Sequence, residues 1–466
     1  MKSFTTLITS KIAESRGVAR VWLEGQKLLN AGVQIGTRYS LRTPGHNRLE
    51  LVPLATAGET DLVVTVSKRE RHGVISPLLE IRTELLRKLF KTAEKVRVVI
   101  RLGRIAVTAI EKDIRVQERR DRLKHKLQAN EPLAVCSLFH GGGVLDRAIH
   151  SGFARHGIAT YIRIGIELEE AYLDASLRNN AMLWRDDSIA ICGDIRDVRR
   201  GDDMPACDLV VAGIPCTGAS RSGKAKNKLA AAEDHPSAGA LFVDFLDFVR
   251  YSNPALAILE NVPDYLNSTS MMVIRSVLGS LGYRLFECVL SGNAYGALEN
   301  RERMAVVAYT DGLFDGFDLK DIIPLRTKEA TLADVLDDVA LDHESWKSYD
   351  YLDLKEQRDV AAGKNFRRQL LSADSPSCGT IGRGYAKARS TEPFIRHPIQ
   401  STRSRLLTVA EHARVKTIPA EMVRGVSDTT AHEILGQSVI FAAFEALGAV
   451  VGRVLAGGAQ CDSVAA

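Results

Sequence analysis

Five short apolar runs between residues 133 and 262 each stop at a glycine or an acid, and this limits the fold more than any other feature of the chain. They are Leu133–Phe139 before His140-Gly141-Gly142-Gly143, Thr160–Ile166 before Glu167, and Ser188–Cys192 before Gly193-Asp194. Asp208–Ala212 then precedes Gly213-Ile214-Pro215-Cys216, and Ala255–Leu259 precedes Glu260-Asn261-Val262. Runs of this length read as buried strands. Helical stretches such as Val144–Gly152 and Ala238–Tyr251 lie between them. Alternating strands and helices predict an α/β fold around a largely parallel sheet.

Such a sheet holds its ligands just past the carboxyl ends of its strands, where all five punctuating groups fall. Strand, glycine loop and helix let backbone N–H groups around Phe139, Gly141 and Gly143 approach a cofactor closely. Glu167, at the end of the second strand, is placed to take two ribose hydroxyls. Asp194, next to Ile195, can accept an adenine amino group. Two acids after successive strands, with no Walker pattern, suit S-adenosylmethionine better than a nucleoside triphosphate. Cys216 stands at the tip of the fourth strand, followed by a small, polar, glycine-punctuated stretch through Ser220 to Lys224. A free cysteine is also a common buried residue, so the strand alone leaves its role open.

Charge is distributed unevenly. Residues 1–130 hold 26 Lys/Arg against 13 Asp/Glu, although the whole chain has a net charge of only +5. A second basic block, 361–416, has 11 basic and 3 acidic residues, whereas 311–359 has 6 basic and 14 acidic. Two basic blocks suggest a polyanion contacted at two places. The seven cysteines show no C-x-x-C pair, which gives neither a familiar zinc spacing nor a disulfide framework, so no metal is expected. No run of about 18 apolar residues suggests a membrane span. The first residues lack an apolar signal core, so a cytoplasmic protein is expected.

Residues 20–110 repeat weakly at an offset of 57: Leu28 aligns with Leu85, Leu29 with Leu86, Val33 with Phe90, Tyr39 with Val96 and Leu41 with Val98. Each unit reads as strand, short helix and β-hairpin. The pattern resembles the AbrB-like, SymE-type swapped-hairpin fold, which implies a small β-rich DNA-binding domain over 1–112 formed as a pseudo-dimer within one chain. A β-rich accessory domain without DNA contact is the alternative. A charged linker helix over 113–131 follows.

From residue 133 to 455 the chain resembles the cytosine-5 DNA methyltransferases. The motifs appear in order: Phe139-x-Gly141-x-Gly143, Glu167, Gly193-Asp194, Gly213-x-Pro215-Cys216, Glu260-Asn261-Val262, Arg301-x-Arg303, Arg405 to Pro419, and Gly436-Gln437-Ser438-Val439. Thr217 and Glu299 stand where the family usually carries glutamine. The resemblance implies a Rossmann-like S-adenosylmethionine-dependent methyltransferase core over 132–310. It also implies a target-recognition region over 311–402, a return to the core over 403–455, and a disordered tail over 456–466. It makes Cys216, Glu260, Arg301 and Arg303 catalytic. Phe139, Gly141, Gly143, Glu167, Asp194, Ile195, Pro215, Gln437, Ser438 and Val439 would hold the cofactor. Duplex DNA would meet Ser220, Lys224, Lys364, Arg367, Arg368, Arg383, Tyr385, Lys387 and Arg389. A separate restriction endonuclease is a possible partner.

The chemistry explains these residue types. Carbon 5 of cytosine is too electron-poor to attack a methyl sulfonium until a thiolate adds at carbon 6. Charge then develops at N3 and O2, which Glu260 and Arg303 can neutralise. None of this can happen inside a duplex, so the base must be flipped out. An RNA cytosine-5 methyltransferase of the tRNA-acting branch, or a DNA-binding regulator with an inactive methyltransferase domain, are the competing readings.

Overall fold

The computed structural model describes residues 4–45, 47–54, 62–91, 93–215, 233, 235, 238–364 and 366–464, as backbone only beyond 457. It divides into two compact units, Met1–Glu118 and Arg119–Ala466.

The first unit contains β1 (Thr6–Ser15), β2 (Val18–Glu24), α1 (Gln26–Asn30), β3 (Arg38–Gly45), β4 (Arg48–Pro53) and β5 (Val63–Thr65). It continues with β6 (Ser67–Arg71), β7 (Val74–Arg82), α2 (Leu85–Phe90), β8 (Lys95–Arg101) and β9 (Arg104–Ala109). All nine strands join one sheet in the order β5-β3-β4-β9-β8-β1-β2-β7-β6. The repeat is visible in the pairing. β1 of the first half pairs with β8 of the second, and β5 of the second pairs with β3 of the first. β2 pairs with β7 and β4 with β9. Hairpins of the two halves alternate along the sheet, β3-β4 and β1-β2 of the first between β5, β9-β8 and β7-β6 of the second.

Val33 with Phe90 and Tyr39 with Val96 are buried together at the offset of 57, whereas the flanking core positions match at 58. Val21 and Leu79, Leu23 and Ile81, Leu28 and Leu86, and Leu49 and Val107 are matching core residues, each pair 58 apart. Leu85, the partner expected for Leu28, is only partly buried. Three tight turns, Arg16-Gly17, His72-Gly73 and Leu102-Gly103, have φ between 50° and 77° at both residues. That is the primed geometry that matches the twist of the flanking strands.

Helix α3 (Glu111–Gln128) spans the division between the units. It is the helix expected as a linker, but its second half is no free tether. Arg119 is 2% exposed, donates to Thr310 Oγ1 and to the carbonyls of Leu281 and Gly282, and lies 3.8 Å from the Tyr283 ring centre. Arg122 and Lys126 both pair with buried Asp208, at 2.9 and 2.6 Å.

The second unit then follows as β10 (Leu133–Leu138), α4 (Val144–Ala154), β11 (Thr160–Glu167), α5 (Glu170–Asn179), β12 (Ile189–Cys192) and β13 (Leu209–Gly213). Next come α6 (Leu241–Ser252), β14 (Leu256–Asn261), α7 (Thr269–Ser280), β15 (Tyr283–Ser291) and β16 (Glu302–Thr310). The sheet order is β12-β11-β10-β13-β14-β16-β15. β10 to β14 are parallel, whereas β16 runs antiparallel to both neighbours. Leu209 and Val211 pack on one face of the sheet, Val210 and Ala212 on the other. Burial on both faces is why these strands read as unbroken apolar runs. The strand order reverses between β10 and β13, and an open α/β sheet opens its ligand crevice at such a point.

A four-stranded sheet of order β17-β20-β19-β18 forms a small appended region, with β17 (Lys347–Ser348), α8 (Asp350–Ala361), β18 (Gln369–Leu371), β19 (Pro393–Arg396) and β20 (Arg403–Arg405). β20 pairs with β17 and β19, so this region runs past the expected limit at 402. The chain returns to the core in α9 (Val409–Val415), α10 (Asp428–Gln437) and α11 (Phe441–Val464). The last two helices, α10 and α11, are bent by 48° to one another. Ser438 ends the first, its hydroxyl donating to Ile434 O at 2.6 Å. The backbone stays helical to Val464 instead of ending at 455, since no proline follows to stop it. Among the described residues no single helix is long and apolar enough to cross a membrane.

Candidate active site

The crevice at the switch point has a glycine loop as its floor. Phe139, Gly141 and Gly143 all have positive φ, at 57°, 58° and 76°. A Cβ on Gly142 would lie 2.5 Å from Ile434 Cγ2, so the loop lies flat against α10. Beneath it is a buried polar network that sequence reasoning missed. His140 Nε2 is 2.7 Å from Ser176 Oγ, and its Nδ1 is 2.8 Å from Ser137 Oγ and 3.1 Å from Asp146 Oδ2. The available signal was a histidine abutting three glycines with an acid six residues on.

Glu167 ends β11 at 9% exposure, and its two carboxylate oxygens accept from Gly141 N at 2.6 Å and Glu169 N at 3.0 Å. The acid is therefore fastened to the loop it was expected to work beside. Asp194 caps the turn after β12, accepting from Arg196 N and Nε, both at 2.9 Å. The Arg196 guanidinium holds its carboxyl at a pKa of about 2. Ile195 packs inside the core with Cys136 and Leu138. Its side chain, 4% exposed, supports the crevice from behind. Val439 is likewise buried at 3%. Gln437 faces the loop, its Nε2 3.6 Å from where a Gly141 Cβ would stand. Glycine backbone, a strand-end acid and an exposed Pro215 make a cradle that fits S-adenosylmethionine.

On the other side of the switch point, β14 pairs with β13 and β16 so that Glu260 stands opposite Gly213 and Ala305. Glu260 Oε1 is 2.9 Å from Arg303 Nε. Burial pushes the Glu260 carboxyl above its ordinary pKa, against the opposing pull of Arg303, Arg301 and Lys416. Asn261 Nδ2 donates to Ile214 O at 3.2 Å and so holds the segment that leads to Pro215. Cys216, Ser220 and Lys224 lie outside the described residues.

Arg301 takes a different position from Arg303. It is 3% exposed and donates to the carbonyls of Ile381 and Gln437, at 3.2 and 3.3 Å. It thus joins β16, the appended region and α10. That is a positioning role, not contact with a substrate base, because its guanidinium is enclosed by protein.

Two expected DNA contacts are corrected in the same way. Tyr385 is fully buried, its hydroxyl donating to Pro393 O and accepting from Leu407 N. The Arg368 side chain is 4% exposed, paired with Asp353 and packed against Phe394. Both hold the appended sheet together. Arg383 is exposed but pairs with Glu169 at 3.0 Å, on the cofactor side. Lys364 is exposed and pairs with Asp359 at 3.4 Å. Arg367, Lys387 and Arg389 are exposed, as are Arg396 and Arg403 on β19 and β20, which the sequence reading passed over. Among the described residues no group of His, Cys, Asp or Glu is arranged to hold a metal ion.

The C-5 cytosine-specific DNA methylase family matches residues 134–453. Type II methyltransferase M.SsoII of Shigella sonnei is 27% identical over 256 residues, covering 53% of this chain and 64% of that protein. Type II methyltransferase M.NlaX of Neisseria lactamica is 28% identical, covering 53% and 77% respectively. The chain thus spans less than two-thirds of the first of these relatives and about three-quarters of the second. In fold, the chain is similar to the Schizosaccharomyces pombe Dnmt2 methyltransferase, with a TM-score of 0.52 at 19% identity over 70% of this chain and 98% of that one. Residues before 134 lie outside the family match. On the match over 134–453, the chain belongs to the C-5 cytosine-specific DNA methylase family.

Proposed function

We propose that the protein methylates carbon 5 of a cytosine flipped out of duplex DNA, with Cys216 as the attacking thiol. The observation that carries the reading is the Glu260–Arg303 pair at 2.9 Å on neighbouring strands, next to the strand that leads to Cys216. S-adenosylmethionine, when bound, supplies the methyl group. Glu167, Gly141 and Gln437 are the residues that would hold it. Addition of the Cys216 sulfur at carbon 6 makes carbon 5 nucleophilic. Glu260, whose carboxyl burial raises above its ordinary pKa, meets the charge at N3, and Arg303 meets that at O2. Removal of the carbon-5 proton after methyl transfer expels the Cys216 thiolate. Methyl transfer from tritiated S-adenosylmethionine is expected with duplex DNA and not with tRNA, and the reverse would favour an RNA substrate. The Type II names of the relatives support a reading in which a separate endonuclease shares the target site.

The same reading gives residues 1–112 a second DNA contact, through an AbrB-like domain. What supports it is an uneven surface. Lys11 faces Lys95, Arg97 faces Thr9 and Thr108, Arg48 faces Thr108, and Arg101 faces Arg104, all by direct cross-strand pairing. Directly paired residues share a sheet face. The acid in these rows, Glu50, is bonded to Arg48. Towards the other end of the sheet, Arg20 pairs with Glu80, and Arg69 and Arg71 pair with Glu24. A face with this excess of basic residues suits phosphates.

A further inference from the structure

Glu299 and Lys416 are both fully buried, with their charged atoms 2.9 Å apart. Burying two charges is costly unless the remaining hydrogen-bonding capacity is satisfied. Here the second Glu299 oxygen accepts from Ile381 N at 3.1 Å and lies 3.5 Å from Arg301 Nη1. The backbone of Glu299 is bonded to Val415 O, one residue before Lys416, and pairs with Cys378 of the appended region. Arg301, two residues on, reaches the Gln437 carbonyl beside the cofactor loop, and Arg303, two further, meets Glu260. Three basic groups (Arg301, Arg303 and Lys416) therefore surround two acidic ones (Glu260 and Glu299). With a neutral glutamine at 299, the residue expected there from the family resemblance, Lys416 would face Arg301 with no anion between them.

We infer that Glu299 and Lys416 are a charge-matched positioning pair that holds Arg301, and through it Arg303, in register with the cofactor side of the site. The inference rests on the methyl-transfer reading above and adds two residues that neither bind nor react. A neutral pair could serve the same geometry, so the two positions must change together. Restoring glutamine at 299 alone should harm the enzyme, because it leaves a buried lysine uncompensated.

The test uses full-length E299Q, K416Q and the E299Q/K416Q double variant. The measurements are kcat, KM for DNA, affinity for S-adenosylhomocysteine by calorimetry, and thermal melting. E299Q is expected to lose about tenfold in kcat and about threefold in S-adenosylhomocysteine affinity, with the KM for DNA unchanged, at a temperature where it is fully folded. K416Q should lose less, because Arg301 still compensates Glu299. The double variant should return to within about threefold of the wild type in both measures, the non-additivity expected of coupled neighbours. Wild-type kcat in E299Q, or a double variant no better than E299Q, would overturn the inference. So would losses that follow only the unfolded fraction. If E299Q does not fold, a folded and active double variant supports the pair, and an inactive one refutes it. A wild type that methylates neither DNA nor RNA counts against the functional reading, and the affinity and melting pattern then decides the pair alone.

Discussion

Arg303 Nε lies 2.9 Å from Glu260 Oε1 across the β14–β16 pairing, so the group that would protonate N3 and the cation that would meet O2 are held against each other. Removing the cation has two opposite consequences. Arg303→Ala should cut kcat by about 100-fold, the scale of losing one transition-state donor. It should also raise the Glu260 pKa further, since Arg303 is the strongest of the groups pulling it down.

A raised pKa keeps Glu260 protonated to higher pH than a free carboxyl, so a step needing that proton weakens as pH climbs through it. In the wild type kcat should therefore fall on the alkaline side of this limb. In Arg303→Ala the limb should move to higher pH. A pH–kcat profile of both proteins checks this, and an unmoved limb would assign it to another group.

Glu167→Ala should weaken S-adenosylmethionine binding by about 1.5–3 kcal/mol, the range for hydrogen bonds to a charged group. The Gly141 amide, which the carboxylate accepts from at 2.6 Å, loses its partner at the same time. Calorimetry on the purified variant decides it, and an unchanged affinity would remove Glu167 from the cofactor site.

Arg119→Ala should destabilise the catalytic unit by roughly 3 kcal/mol, since it takes a buried donor from the Leu281 carbonyl and removes one of two partners at Gly282 O and Thr310 Oγ1, which keep Asp311 N and Ala255 O. Urea unfolding measures it. A truncation meant to remove the amino-terminal unit must therefore keep residues from Arg119 onward, and one cut at 130 would confuse loss of DNA contact with loss of stability.

Replacing Arg97, Arg101 and Arg104 together with glutamine should flatten the salt dependence of DNA binding, reducing the log–log slope by about 2–3, because fewer counterions are released. Turnover at saturating DNA should stay near wild type. An unchanged slope would mean that this sheet face does not meet DNA.

The centre of the sheet was legible because strands such as Leu209–Gly213 and Leu133–Leu138 are buried on both faces and lead into a glycine turn. Glu167 and Glu260 were legible because strand ends fix where a side chain stands. The amino-terminal exchange was only half legible. The repeat marked both halves, but β1 alternates partly buried and exposed residues too weakly to read as a strand. The appended region misled most. Arginine and tyrosine among glycines read as groove contacts, yet Arg368 and Tyr385 are spent on holding a sheet whose strands are two to four residues long. Charge alone does not tell an exposed cation from one buried against an acid. Glu299 shows the same limit, since its partner Lys416 is 117 residues away.

The central claim is that Cys216 adds to the cytosine ring. Duplex DNA carrying 5-fluorocytosine at the target site has no carbon-5 proton to lose, so addition and methyl transfer should trap the enzyme on it. With S-adenosylmethionine, the wild type is expected to form a complex that survives denaturation, with the DNA attached to the peptide containing Cys216. Cys216→Ser should form none while still binding DNA, because a hydroxyl has no comparable anionic population at neutral pH. A wild type that methylates cytosine yet leaves no adduct, or an adduct on any other residue, would contradict the mechanism.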